Sequence, residues 1–303
     1  MNGMTGDDAV KVVDLTKHYG KTAALAGISV NIAANSITGL IGRNGSGKTT
    51  LMKIVAGILD KSQGEIQVFG EAPMDNIQVL NRLVYTYHNV AYEQSLRLDT
   101  ILYAYKTMFP AFDAAFAERL MGYFELSGKA KYKNLSQGMC SIFNFLCALA
   151  CRAELTMFDE PVLGMDVTVR KSAYEILIRD FFEHPRTFII SSHLLSEIEG
   201  VLSDILLIER GNVVLHRPID EVRQSAHRVD GSQTAIERYV ADKNVIARKF
   251  GGVASYAIIY EPCAGGAAEA AKAQGLTVSS VRAEDLCVYL TRQNKEDELE
   301  CLW

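Results

Sequence analysis

Gly42 to Thr49 read GRNGSGKT, three glycines threaded between polar residues and closed by a lysine and a threonine. Such a run suits one kind of chemistry. Its backbone N–H groups can close on phosphate oxygens, Lys48 can reach the β- and γ-phosphates of a nucleotide, and the Thr49 hydroxyl can ligate Mg²⁺. The cradle comprises Gly42, Arg43, Asn44, Gly45, Ser46 and Gly47 and runs on into Thr50, and the glycines at 42, 45 and 47 are expected in left-handed conformations. A second chemical pair stands downstream, where the apolar run LTMF ends in Asp159 and Glu160. If the loop and the pair meet, Asp159 holds Mg²⁺ through water and Glu160 polarises an attacking water as general base.

Several elements must bring these groups together. SITGLIG enters the glycine loop as a strand, and from Lys48 the run TTLMKIVAGIL keeps helical spacing until Gly57 and Asp60. In an open parallel sheet, ligands gather beyond the carboxyl ends of strands, which puts the end of LTMF beside the phosphates. Neighbouring strand side chains point opposite ways, so the two acids can take separate duties. Upstream, VKVVDL and AALAGISVNI are short β-rich runs separated by turns. Residues 84–133 read as mostly helical and unusually aromatic, from Tyr85, Tyr87 and Tyr92 through Tyr103, Tyr105, Phe109, Phe112 and Phe116 to Tyr123 and Phe124. These rings are expected to fill a helical core, with an exposed groove for a partner helix as the alternative. A helix over 139–153, a buried strand over 155–158, an amphipathic helix over 168–183 and a strand over 187–191 follow. DILLIERGNVVL then reads as a hairpin around Gly211 and Asn212, punctuated by Pro218.

The expected fold class is therefore α/β, a mostly parallel sheet covered on both faces. After Arg223 the character changes to short α and β pieces, giving an expected division into 1–222, with a helical subdomain at about 88–150, and a small α+β domain at 223–303. The acidic NKEDELE segment near the end reads as a solvated terminus; NKED within it imitates a guanine-specificity motif but lies far from the phosphate loop.

Composition narrows the function. The 303 residues are 49% apolar and 22% charged, enough to bury a core. A net charge of -5 gives no electrostatic footprint for nucleic acid, so none is expected as a partner. The start, MNGMTGDDAV, has neither a basic region nor an apolar run and reads as no targeting peptide. The richest apolar stretch, 142–151, is interrupted by Asn144 and falls short of the roughly 20 residues a spanning helix needs. The chain is thus expected in the cytoplasm, with any membrane role coming through a partner. Cys140, Cys147, Cys151, Cys263, Cys287 and Cys301 show no paired CxxC spacing and read as buried or free thiols rather than metal ligands.

Over about residues 10–216 the chain resembles the ATP-binding-cassette (ABC) ATPases. LSQGM at 135–139 is similar to the family signature LSGGQ and stands in its place, between the phosphate loop and the acidic strand. Ser136 and Gly138 keep the family identities, whereas Gln137 and Met139 depart from them. The resemblance implies that this loop contacts the γ-phosphate of ATP bound to the opposite subunit; Ser136 can also cap the helix beginning near Met139. GMD at 164–166 resembles the dimer-contact loop, with Asp166 as its acid, and His193 after TFIIS resembles the switch histidine that senses the γ-phosphate. Tyr19 in KHYGKTAAL matches the aromatic that stacks on adenine, the alternative being a core tyrosine. Aligning LVYTYH with the family places His88 where a glutamine contacts Mg²⁺ and the attacking water. Imidazole bonds to water with a different reach and can become charged, so unusual turnover is expected.

The family implied is that of phosphate-loop NTPases of ABC type, with an N-terminal antiparallel β subdomain and an inserted helical subdomain. The function implied is an ATP-binding subunit that takes ATP and Mg²⁺, hydrolyses ATP at a dimer interface and drives export through a separate integral membrane permease subunit. Its expected place is peripheral, on the inner face of the cell membrane, beside a second ABC ATPase subunit in a homodimer or heterodimer. One cassette with a small C-terminal domain resembles bacterial exporter subunits related to the Ytr transporter ATPases, encoded beside GntR-type regulators. His88 and Gln137 keep open the alternative of a regulatory ATP-binding module with weak hydrolysis. A cassette ATPase of DNA repair or translation is disfavoured by the single cassette and the absence of a long heptad coil or basic arm.

Overall fold

The computed structural model describes residues 8–87, 90, 92, 93, 95–251, 255–262 and 267–291. His88 lies outside these residues, as do Cys263, Cys301 and the NKEDELE segment. The chain divides into two compact units, Met1–His216 and Arg217–Trp303.

The first unit begins with β1 (Asp8–Tyr19) and β2 (Thr22–Ala33), joined by a two-residue turn and paired antiparallel. Alternate burial along both strands puts Val10, Val12, Ile28, Val30 and Ile32 on one face. Next come β3 (Ile37–Ile41), α1 (Lys48–Val55) and β4 (Gln63–Val68), the last pairing with the other edge of β1. The short α2 (Ile77–Leu80) leads into β5 (Leu83–Tyr87). Then follow α3 (Leu98–Met108), α4 (Ala114–Tyr123), α5 (Gln137–Ala150), β6 (Leu155–Asp159), α6 (Val167–Glu183), β7 (Thr187–Ser192), β8 (Asp204–Glu209) and β9 (Asn212–Pro218).

Six strands form the main sheet in the order β5-β6-β7-β3-β8-β9, with parallel pairing from β5 through β8. Its central strands are buried at every position: ITGLI, LTMFD and TFIISS each lie between two covered faces, which is why they read as continuous apolar runs. The three-stranded sheet β2-β1-β4 is the N-terminal antiparallel layer. Val10, Leu25, Leu51, Met52, Ile189 and Leu206 meet in the core shared by the antiparallel strands, α1 and the main sheet.

Two readings of local structure need revision. The β8–β9 turn is centred on Arg210 and Gly211, both at positive φ (48° and 77°), as a type I′ connection requires, so Asn212 already belongs to β9. The ten aromatic rings between Tyr85 and Phe124 do not fill a helical core, for none is fully buried. α3 buries only Leu98 and Ile101, and α4 only Ala117, Leu120 and Met121; stripes this narrow cannot enclose rings. Several rings instead wall an open apolar groove of about 490 Å³ bounded by Ile58, Tyr85, Tyr92, Ile101, Tyr105 and Met108.

The second unit opens with α7 (Ile219–Gln224), inside which the expected boundary at 222/223 falls. β10 (His227–Gly231), α8 (Gln233–Tyr239), β11 (Val245–Lys249), β12 (Ser255–Ile259), α9 (Ala267–Ala273) and β13 (Thr277–Ser280) follow, then α10 (Ala283–Thr291). The order β11-β12-β10-β13, antiparallel throughout, with a helix in each crossover, is the split β-α-β arrangement of ferredoxin-like folds. Its own core gathers Val229, Ile236, Ala257, Ile259, Ala271 and Leu276.

Candidate functional site

The carboxyl ends of β3, β5, β6 and β7 converge on one edge of the main sheet, and the chemistry-bearing side chains stand there. β3 delivers the chain into the glycine loop. Gly42 is required by space, since a Cβ there would lie 2.3 Å from the Ile208 carbonyl oxygen; its backbone is not left-handed, contrary to expectation. Gly45 and Gly47 are left-handed, at φ 80° and 113°. Gly47 is the N-cap of α1 with no side chain capping it, so the first amides of α1 face the loop with the helix's positive end.

Lys48 is buried, and its ammonium donates to the carbonyl oxygens of Gly42 at 2.6 Å and Arg43 at 3.3 Å. Burial pulls its pKa below the ordinary 10.5, and the neighbouring Glu160, Asp159 and Glu209 only partly oppose that. An arriving phosphate would restore what burial takes away.

Asp159 is held on both oxygens. Oδ2 accepts from the Thr49 hydroxyl at 2.8 Å and the Tyr85 hydroxyl at 3.1 Å, and Oδ1 accepts from the Ser191 hydroxyl at 2.5 Å. The parallel register sets Ser191 directly across from Asp159. Glu160 follows at φ 50°, a sparsely populated backbone state for this residue, and its N–H donates to Ser191 Oγ at 3.0 Å. The Glu160 side chain places Oε2 2.9 Å from His193 Nδ1 and Oε1 3.9 Å from Lys48 Nζ. Oε1 is buried and has no hydrogen-bond partner among the described residues. A carboxylate oxygen left in that condition is suited to accept from a water or ligand.

Two open cavities meet at Asn44, Gly45 and Ser46. One, of about 300 Å³, runs along Gly47, Lys48, Thr49 and Thr50 to Asp159 and Glu160. The other, of about 500 Å³, runs past Arg43 to His193 and Glu209. An anionic ligand can thus lie along the loop with its terminal group between Lys48 and Glu160.

The remaining expected residues stand elsewhere. Tyr19 ends β1 and is 51% exposed, with the Lys17 ammonium 5.5 Å from its ring centre, so it is no core tyrosine. Ser136 caps α5, its hydroxyl accepting from the Met139 N–H at 3.2 Å. Gly138 packs against the 164–165 backbone, and Asp166 caps α6 by accepting from the Val169 N–H at 2.9 Å. None of these four lines the two cavities. Tyr85 and Ser191 were not anticipated; the available signal was a polar side chain at or near the carboxyl end of a strand flanking LTMFD.

Cys147 on α5 and Cys151 at its C-cap are free thiols, buried as expected, and burial raises both pKa values, while Cys140 on α5 is half-buried. Among the described residues no cluster of three His, Cys, Asp or Glu side chains forms a metal cage. No described helix is long and apolar enough to cross a membrane.

Residues 25–163 match the family model for ABC transporters. The chain is 24% identical over 237 residues to the ABC transporter ATP-binding protein YtrB of Bacillus subtilis, covering 78% of this chain and 81% of that one. It is 29% identical over 223 residues to the bacitracin transport ATP-binding protein BcrA of Bacillus licheniformis, covering 71% of each. It is 28% identical over 217 residues to the lantibiotic transport ATP-binding protein SrtF of Streptococcus pyogenes, covering 70% and 91%. A solved ATP-binding subunit of an ABC transporter shares the fold at a TM-score of 0.64 and 22% identity, covering 71% of this chain and 92% of that one.

Proposed function

We infer from its membership of the ABC transporter family, as an ATP-binding protein and transport-coupled ATPase, that this chain powers export through a separate integral membrane subunit. The observation that carries the catalytic reading is the meeting of the loop and the acids, with Thr49 on Asp159 at 2.8 Å and Glu160 between Lys48 and His193. Lys48 exchanges the loop carbonyls for β- and γ-phosphate oxygens. Glu160, its Oε1 unsatisfied, takes the proton of the attacking water, and His193 holds the other carboxylate oxygen and faces the γ-phosphate.

Mg²⁺ fits the donors present. Thr49 and Asp159 offer hard oxygens within hydrogen-bond distance of one another, the donor type that Mg²⁺ takes beside phosphate and water. Thr49 and Asp159 would hold it, the latter through water, and its chemistry there is neutralisation of phosphate charge.

Ser136, Gly138 and Asp166 belong to the proposed contact with a second ABC ATPase subunit, where Ser136 and Gly138 reach ATP across the interface and the positive end of α5 faces it. Tyr19, exposed near the β1–β2 turn, is assigned to the adenine ring. The apolar groove beside α3 is assigned to an amphipathic segment of the membrane partner, and a seat on the inner face of the membrane goes with that assignment. The relatives' names support transport, BcrA and SrtF carrying bacitracin and lantibiotic transport in theirs, and export stands in the name of the Nod factor export ATP-binding protein I of Rhizobium meliloti, 29% identical over 224 residues.

The test is Glu160→Gln. ATP binding is expected to stay intact while phosphate release falls roughly 100-fold or more. Near-wild-type hydrolysis by this variant would remove the catalytic assignment, and negligible phosphate release by the wild type with its membrane partner would favour a regulatory module.

A further inference from the structure

Tyr85 belongs to two places at once. Its hydroxyl donates to Asp159 Oδ2 at 3.1 Å, on the nucleotide side of β5. Its ring is part of the wall of the apolar groove, beside Tyr92, Ile101 and Tyr105. Asp159 has three hydrogen-bonding side chains, Thr49, Tyr85 and Ser191, and among the described residues only Tyr85 also lines the groove. The parallel register, Tyr85 beside Met157 and Tyr87 beside Asp159, brings the ring diagonally onto the acid.

The three contacts on Asp159 are not equivalent. Ser191 holds Oδ1, whereas Thr49 and Tyr85 share Oδ2. When the Thr49 hydroxyl turns to a cation, Tyr85 is left as the side chain that fixes Oδ2. The ring is packed on one side against the main core, so pressure from the groove cannot be absorbed by moving inward.

We propose that Tyr85 is a positioning residue that couples the groove to the cation site: its hydroxyl sets the carboxylate of Asp159, and what fills the groove sets Tyr85. This rests on the reading of Asp159 as the Mg²⁺-holding carboxylate. The bland role, a tyrosine that merely fills space, predicts that deleting the hydroxyl changes nothing at the cation site.

The experiment uses the full chain stripped of metal and a fluorescent N-methylanthraniloyl ATP, with Mg²⁺ titrated in and the half-saturating concentration read from the signal. Tyr85→Phe, which keeps the ring, is expected to raise that concentration about three- to tenfold, the worth of one hydrogen bond, while affinity for the Mg²⁺-free nucleotide stays unchanged. Ala104→Trp, at an exposed position on the groove wall, is expected to shift it at least about twofold in the parent and not at all in the Tyr85→Phe background. Unchanged Mg²⁺ dependence in Tyr85→Phe, or the same shift by Ala104→Trp in both backgrounds, overturns the proposal. Asp159→Asn separates the two layers. If it leaves Mg²⁺ dependence untouched, the reading of Asp159 falls and takes the proposal with it; if it abolishes that dependence while Tyr85→Phe does not alter it, only the proposal falls.

Discussion

Lys48 gives the site a pH signature of its own. In the window between its lowered pKa and 10.5, the folded chain has released a proton that the unfolded chain keeps, so stability rises with pH there, and the full penalty of burying the ammonium applies below the window. Nucleotide works in the other direction, because phosphate oxygens favour the charged form. ATP affinity is therefore expected to be flat below the lowered pKa and to fall as pH rises through it, by at most about tenfold per unit for one proton. Binding measured across the alkaline range checks this; in Lys48→Arg, whose guanidinium stays charged, the fall is expected to vanish even where affinity is weaker. The meeting of Lys48, Thr49, Asp159 and Glu160 was legible in the sequence, because each motif names its residues and the strand-end rule says where the halves come together. Tyr85 and Ser191 were not, since their roles exist only once neighbouring strands are in register. His193 was singled out through the family resemblance alone, and its 2.9 Å approach to Glu160 is a tertiary fact.

The elements were read with less loss than the residues between them. Continuous apolar runs bounded by turns marked β3, β6 and β7, because strands covered on both faces have no polar side to show. The aromatic insertion misled for the converse reason: ring content signals burial on average, while the narrow stripes on α3 and α4 decide that these rings line a groove. Asn144, which interrupts the apolar run of α5, is explained by its partners, the Tyr87 carbonyl oxygen and the Tyr132 hydroxyl, each 3.3 Å from its amide nitrogen. α5 also approaches the segment before α6 closely enough that a Cβ on Gly138 would meet the Gly164 carbonyl oxygen at 2.6 Å. Gly138→Ala is expected to destabilise the chain by about 1–3 kcal/mol, the usual cost of overpacking. Denaturant titration of the isolated protein reads this without any second subunit; unaltered stability would mean that the 164–165 backbone yields freely.

At the scale of the whole molecule, each compact unit has its own apolar core, and all the residues proposed above for the nucleotide site lie in Met1–His216. Mg·ATP at about a hundred times its dissociation constant stabilises a folded unit by about 2.7 kcal/mol. Calorimetry is accordingly expected to show nucleotide raising the transition of the first unit and leaving that of the second in place; a shift of both together would show that they unfold as one. The change in character near Arg223 was visible in the sequence, but the split β-α-β topology of the second unit was not, because strands this short leave their pairing to contacts distant in the chain. One residue of the β8–β9 hairpin binds the first unit together in a way no side chain records. The Gly211 N–H donates to the Ser46 carbonyl oxygen at 2.8 Å, and its own carbonyl oxygen accepts from the Ala26 N–H at 2.9 Å, while a Cβ there would lie 2.8 Å from the Ala24 carbonyl oxygen. Glycine at 211 is thus a splice between the loop that grips phosphate and the sheet that carries Tyr19. Any side chain at 211 would strike that carbonyl oxygen, so the position contributes by what it leaves out.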